Sequence, residues 1–183
     1  MMRIFLFVLL FAGVTYARLG ENETQCNGRY GTPLTDKYTT EANRKNPLVP
    51  GGYTKSYNYQ GWVVRVGYVV FNGPAIKMSF RKKAGGSIKE DELAAILTAN
   101  APEGMKWERG VYTNSPLQGS AAVFSNIGSN VMGAAAWKRT DGVVAILEPM
   151  KLELTLESPA AIEITRKAKD SAEAQRKAAI PAF

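Results

Sequence analysis

The chain contains no histidine, and that absence excludes more chemistry than any residue present supplies. Without imidazole there is no Ser-His-Asp or Cys-His nucleophilic scheme, no His-based zinc site and no ordinary proton shuttle near neutral pH. Cysteine is almost missing too. Cys26 is the single thiol, so no disulfide forms within the chain and folding rests on packing. Neither a Walker-type phosphate loop nor a G-x-G-x-x-G turn occurs; Gly51-Gly52 and Gly85-Gly86 read as punctuation around strands. Any catalysis falls to carboxylates, lysine or tyrosine. The sequence nominates no catalytic residue, no metal ligand and no cofactor.

What is present begins with an export signal. Met1, Met2 and Arg3 form a short basic start, residues 4–14 are an uncharged apolar run, and Thr15-Tyr16-Ala17 supplies small residues where a signal peptidase reads. That run is too short to cross ~30 Å of hydrocarbon as a helix, and a polar stretch follows from Arg18. The pattern predicts a signal peptide over 1–17 and a periplasmic or secreted protein. A lipoprotein signal would place its cysteine directly after the apolar run, whereas Cys26 lies beyond Arg18, Glu21 and Glu23. Cys26 is expected instead as a small buried side chain near the first helix. Asn22-Glu23-Thr24 matches a glycosylation sequon, relevant only in a eukaryotic secretory route.

Of 183 residues, the 166 beyond the signal are one domain's worth, and losing Arg3 lowers the formal charge from +7 to +6. A spread positive balance outside the cytoplasm favours lipid headgroups, acidic polysaccharide or acidic proteins as partners, with nucleic acid excluded by compartment.

Residues 18–52 read as a short helix capped by Thr24 and stopped by Gly31 and Pro33, followed by a Pro- and Gly-rich connector over 35–52. Strands begin at Tyr53. Residues 53–59 alternate, Gln60-Gly61 turns, and residues 62–71 form a strand apolar on both faces, hence interior to its sheet. Asn72-Gly73 predicts a two-residue turn setting Val69 opposite Ile76 and Gly67 opposite Met78, with space at the glycine for the thioether. Residues 87–100 form the main helix, with Ser87 and Glu90 as a capping box and Leu93, Ile96 and Leu97 as the apolar stripe. Residues 113–133 carry little signal. A second hairpin spans 136–147, and from 150 to 157 Met150, Leu152, Leu154 and Leu156 face inward against a wet outer face. Glu153 and Glu157 on that face stand about 13 Å apart, too far for a retaining glycosidase pair. After Pro159 the helix formers lack a wide apolar stripe, so a charged, solvated helical tail is expected over 160–183.

The expected fold class is therefore α+β: an antiparallel sheet of about five to six strands from two hairpin units, with one main helix on one face and a solvated C-terminal helix. The domain over 53–159 holds the sheet. The opening, from Thr24-Gln25-Cys26 through Arg29-Tyr30-Gly31-Thr32-Pro33 to Val66-Gly67-Tyr68 and Asn72-Gly73, resembles small envelope domains of the BamE/SmpA and β-lactamase-inhibitor-like group. Together with the helix at 92–100, it also resembles uncharacterised secreted bacterial proteins. The resemblance covers about 23–107, brings no catalytic residue and implies an envelope role.

Two readings of function remain. The first is a non-catalytic binding module of the bacterial envelope, taking an envelope protein or an anionic glycan and touching the membrane surface peripherally. Its contact residues are expected on an aromatic first strand, Tyr53, Tyr57, Tyr59 and Trp62, with Lys55, Tyr57 and Tyr59 foremost. Those rings are otherwise core beneath the helix at 87–100. The second reading is a small hydrolase of envelope polymers working through paired carboxylates.

The export reading has a direct check: intact-mass analysis of the exported protein should show loss of residues 1–17 and a new terminus at Arg18. Retention of the full-length species in the membrane fraction is the contrary result.

Overall fold

The computed structural model describes residues 18–113, 123–125, 134–148 and 150–179. The expected signal peptide and most of the 113–133 segment lie outside the described residues.

The first helix, α1 (Glu23–Tyr30), is capped by Asn22 rather than Thr24. The Asn22 side chain accepts from the Gln25 N–H at 2.9 Å while the Gln25 side chain accepts from the Asn22 N–H, also at 2.9 Å. Gly31, at φ 84°, ends it. The supposed connector contains a second helix, α2 (Lys37–Lys45), whose cap Asp36 accepts from the Thr39 N–H at 2.9 Å. Pro47 and Pro50 follow this helix instead of interrupting it, so they are compatible with a helix that the Pro/Gly content of the segment hid.

Strands β1 (Tyr53–Tyr59) and β2 (Trp62–Tyr68) join through Gln60-Gly61, both at positive φ, as a two-residue hairpin turn requires. The next connection departs from expectation. β2 ends at Tyr68 rather than Phe71 and pairs with β3 (Lys77–Lys82) in the register Val66↔Met78 and Gly67↔Lys77. Val69 does not face Ile76, because Pro74 has no N–H to contribute to a ladder and the Ile76 N–H already closes on the Gly67 carbonyl at 3.0 Å. Asn72 does adopt positive φ, 52°, within a turn closed by the Gly73 N–H on the Val70 carbonyl at 3.0 Å. The space at Gly67 belongs to the connector and not to Met78: a Cβ there would lie 2.9 Å from Val49 Cγ2 and 3.0 Å from Leu48 Cβ.

Helix α3 (Glu90–Ala99) has Lys89 at its cap position, so Ser87 and Glu90 form no capping box; the Glu92 side chain accepts the Lys89 N–H at 2.7 Å instead. Its stripe of Leu93, Ile96 and Leu97 is buried as expected. Then come β4 (Trp107–Thr113), β5 (Val123–Ser125), β6 (Ala134–Arg139), β7 (Val144–Glu148), β8 (Glu153–Glu157) and helix α4 (Pro159–Ala178). The fold is α+β. Among the described residues the sheet has eight strands, more than the five to six expected, in the order β1-β2-β3-β8-β7-β6-β4-β5, with every pairing antiparallel.

Strand β8 is shorter than its alternation implied. Met150 is fully exposed and Leu152 sits at φ 53°, because the chain uses the residues before Glu153 to turn back from β7. Ser158 caps α4 through the Ala161 N–H at 3.2 Å, with Pro159 in the first turn. The first half of α4 docks, with Ala161 buried, Ile162 against Ala136, Val144 and Ile146, and the Thr165 hydroxyl buried one turn on. Its outer turns are solvated and carry the ion pairs Arg166–Glu163, Arg166–Asp170 and Lys177–Glu173.

One sheet face carries the core. Tyr57, Val64, Val66, Tyr68, Met78, Phe80, Leu154, Leu156 and Ala145 lie there under α1 and α3, with Cys26 and Tyr30 contributed by α1. Burial pushes the Cys26 thiol up to about 11, so it stays protonated and behaves as a small apolar side chain. A polar knot ties α3 to the far half of the sheet. Buried Asn100 accepts from the Leu19 N–H at 3.2 Å, buried Arg139 donates to the Asn100 carbonyl and to both Asp141 oxygens, and the Trp107 indole donates to the Leu97 carbonyl at 2.8 Å.

Two measurements test this account. Leu154→Ala removes a fully buried side chain from an interior strand and should cost about 3 kcal/mol in denaturant unfolding. Hydrogen bonding from Arg139 holds the Asp141 carboxyl below its usual 3.8, so its stabilisation is present above that value and is lost as pH falls through the lower folded value. Asp141 stands partly in solvent, which screens the pair, so Asp141→Asn should cost about 1 kcal/mol at pH 7. The variant's acid-side loss of stability should also be shallower than the wild type's.

Candidate functional site

The second face of the sheet is polar and only partly covered. Strand alternation places Ser56 of β1, Val63 and Arg65 of β2, Ser79 and Arg81 of β3 and Glu153 of β8 on this face, opposite the core. Helix α2 packs over β1 at one side, and the first turn of α4 packs over β6 and β7 at the other. Between them lies an open groove of about 560 Å³. Arg65, Arg81, Lys151 and Glu153 are its charged lining, Asn43, Asn46, Ser56 and Ser79 its hydrogen-bonding groups, and Tyr38 of α2, 84 % exposed, stands at its rim.

Arg65 is held in place. Its Nε donates to Asn43 Oδ1 at 3.3 Å and a terminal nitrogen donates to the Asn46 carbonyl at 2.7 Å, while Asn43 is itself pinned by Ser56 at 2.9 Å. Burial lowers the Arg65 pKa, Glu153 opposes that shift, and Arg81 adds to it as a like charge in the same groove. Arg81 is exposed, sits opposite Glu153 in the β3–β8 register, and makes no hydrogen bond or ion pair among the described residues. Lys151 is paired with Glu148 at 2.6 Å. The groove thus offers one oriented guanidinium and one unengaged one against a single lining carboxylate. Such a surface attracts an anion and binds planar carboxylates or phosphates through bidentate hydrogen bonds.

The residues expected from the sequence as contacts lie elsewhere. Strand β1 does form a sheet edge, and the Leu34 N–H covers part of that edge by donating to the Ser56 carbonyl at 2.7 Å. Its aromatic side chains, however, point to the core face. Tyr57 is fully buried, its ring 5.4 Å from Tyr30 and its hydroxyl bonded to Asn27 at 2.9 Å, and burial raises its pKa. The core alternative holds, with the cover shared: Tyr57 and Tyr59 pack on Tyr30 of α1, and Tyr59 and Trp62 also reach the helix at 87–100. Tyr59 is half-buried, edge-on to Tyr30 at 5.3 Å, and lines a slot of about 140 Å³ with Trp62 and Ile96. Lys55 is paired with Glu23 at 3.2 Å. These three residues do not converge with the groove.

Sequence reading missed the groove because its wall is α2. The available signal was Arg65, a lone charge in the run Val63-Val64-Arg65-Val66, since a strand buried on both faces does not spend an interior position on a guanidinium without a polar space to receive it. Among the described residues no group of three or more His, Cys, Asp or Glu is placed to hold a metal ion. No helix among them is long and apolar enough to cross a membrane.

No family model, curated protein or solved structure matches the chain. The likeness of its opening to envelope domains therefore stands on short motifs alone.

Proposed function

We infer that this is a non-catalytic binding module of the bacterial envelope, periplasmic or secreted, that takes an anionic glycan in the groove between α2 and α4. The observation that carries the reading is the pairing in one groove of a pre-oriented guanidinium, Arg65, with an unengaged one, Arg81. The remaining lining favours a sugar over an acidic peptide. The exposed Asn46 carboxamide suits ring hydroxyls, and the exposed Tyr38 offers a face on which a pyranose ring can stack. The spread positive charge and the export signal read from the sequence support the same compartment and ligand class.

One observation favours the second reading, a carboxylate-dependent hydrolase. Glu148 and Glu153 stand directly opposite each other across β7 and β8, and cross-strand neighbours lie within about 5.5 Å. Against it, Glu148 is occupied by Lys151 and does not line the groove.

Calorimetric titration with oligogalacturonate as the probe, and with an uncharged dextran oligomer as control, tests both readings. The wild type should bind the polyuronate and not the dextran, with affinity falling as salt rises. Arg81→Gln removes one charge-assisted contact of about 1.5–3 kcal/mol and should weaken binding tenfold or more without moving the melting temperature. Equal binding by wild type and variant overturns the glycan reading. Accumulation of reducing ends that Glu153→Gln abolishes establishes the hydrolase in its place.

A further inference from the structure

The connection between β2 and β3 puts three consecutive apolar side chains into water. Val69 is 44 % exposed, Val70 60 % and Phe71 86 %. Single exposed apolar residues are ordinary, but a run of three at one projecting turn is a concentrated patch.

The turn is held rather than loose. The Gly73 N–H closes it on the Val70 carbonyl, and the Tyr53 hydroxyl accepts from the Asn72 N–H at 3.3 Å and lies 3.3 Å from the Val70 carbonyl. The Tyr53 ring is stacked on buried Tyr68 at 5.2 Å, so the tip rests directly on the core. A turn fixed in this way gives up little conformational freedom when it contacts something.

Charge at this end of the strands is one-sided. Three of its carboxylates are already paired, Glu21 with Arg29, Glu23 with Lys55 and Glu157 with Lys77, while Glu41 of α2 has no ion pair among the described residues. Three further cations outnumber that one carboxylate. Arg18 precedes the Gly20–Ala75 backbone pairing behind the tip, and Arg44 and Lys45 end α2, whose following segment packs Leu48 and Val49 onto Gly67 at the base of the tip. All three are exposed, and none makes an ion pair among the described residues.

We propose that this end of the protein is a membrane-contact face: Val69, Val70 and Phe71 enter the interfacial layer of a bilayer while Arg18, Arg44 and Lys45 meet anionic headgroups. A convex tip of branched and aromatic side chains needs no shaped receptor, and uncompensated cations around it match an anionic surface. The proposal stands apart from the glycan reading. Arg81 of the groove lies four residues along β3 from Lys77, about 13 Å further from the tip.

Co-sedimentation of residues 18–183, the form the export reading expects, with phosphatidylcholine vesicles, with and without about 30 % phosphatidylglycerol, reads the contact without the apolar run at 4–14, which would itself hold every variant on the lipid. Val70→Ser with Phe71→Ser should weaken binding to the anionic vesicles at least tenfold at an unchanged melting temperature. Arg44→Glu with Lys45→Glu should remove the preference for the anionic lipid, whereas Arg81→Gln should change nothing. In a Phe71→Trp variant, the emission over that of the wild type should shift to the blue and be quenched by acyl-brominated lipid. An unquenched Trp on vesicle-bound protein, or serine variants that bind like the wild type, overturns the proposal. Self-association that the serine variants abolish would assign the tip to a second copy and overturn it equally.

Discussion

The sheet is a three-stranded meander and a four-stranded group held together by one strand. Strands β1, β2 and β3 form the first and β7, β6, β4 and β5 the second, and β8 alone bonds to both, to β3 on one side and β7 on the other. β8 comes last of the strands in the chain, so the sheet is complete only when this strand lies between β7, its neighbour in sequence, and the distant β3. Its side chains match that duty. Leu154 and Leu156 are fully buried on the core face, and on the other face Thr155 is buried and Glu157 is paired with Lys77. The Asn100–Arg139–Asp141 knot makes a second join between the halves, fixing the end of α3 to the β6–β7 turn, where a buried guanidinium is tolerable only because its hydrogen bonds are met.

With the sheet closed in that way, its two faces have different fates. The core face is covered by α1 and α3, and the aromatic residues of β1 are absorbed there. On the other face α2 and α4 cover the flanks and leave a groove between them at Val63, Arg65, Arg81 and Glu153, while Ser79 and Thr155 beside it are buried. Arg65 marks the boundary: half-buried, it bonds to α2 and at the same time presents its charge to the opening.

Legibility followed the range of the interactions. The turn Gln60-Gly61, the buried stripe Leu93, Ile96 and Leu97, the stop at Gly31 and the solvated C-terminal helix were readable, because each depends on neighbours within a few residues. The register after Asn72-Gly73 was misread although Asn72 takes the left-handed conformation its type favours. There the pairing is set by Pro74 and by the packing of Leu48 and Val49 on Gly67, and the second of these is a tertiary contact. Met150 failed for the same kind of reason, since alternation says which face a residue takes in a strand but not where the strand begins.

The sequence by itself determined the α+β class, the identity of the apolar stripes and the exclusion of imidazole chemistry, because composition and periodicity act locally and need no partner. Only the tertiary structure decided that Tyr57 is core rather than surface, that Arg65 and Arg81 share one opening, and that Val69, Val70 and Phe71 stand in water. Each of those outcomes depends on which helix covers which strip of a sheet whose order is not the order of the chain. That choice belongs to long-range packing, and no window of neighbouring residues contains it.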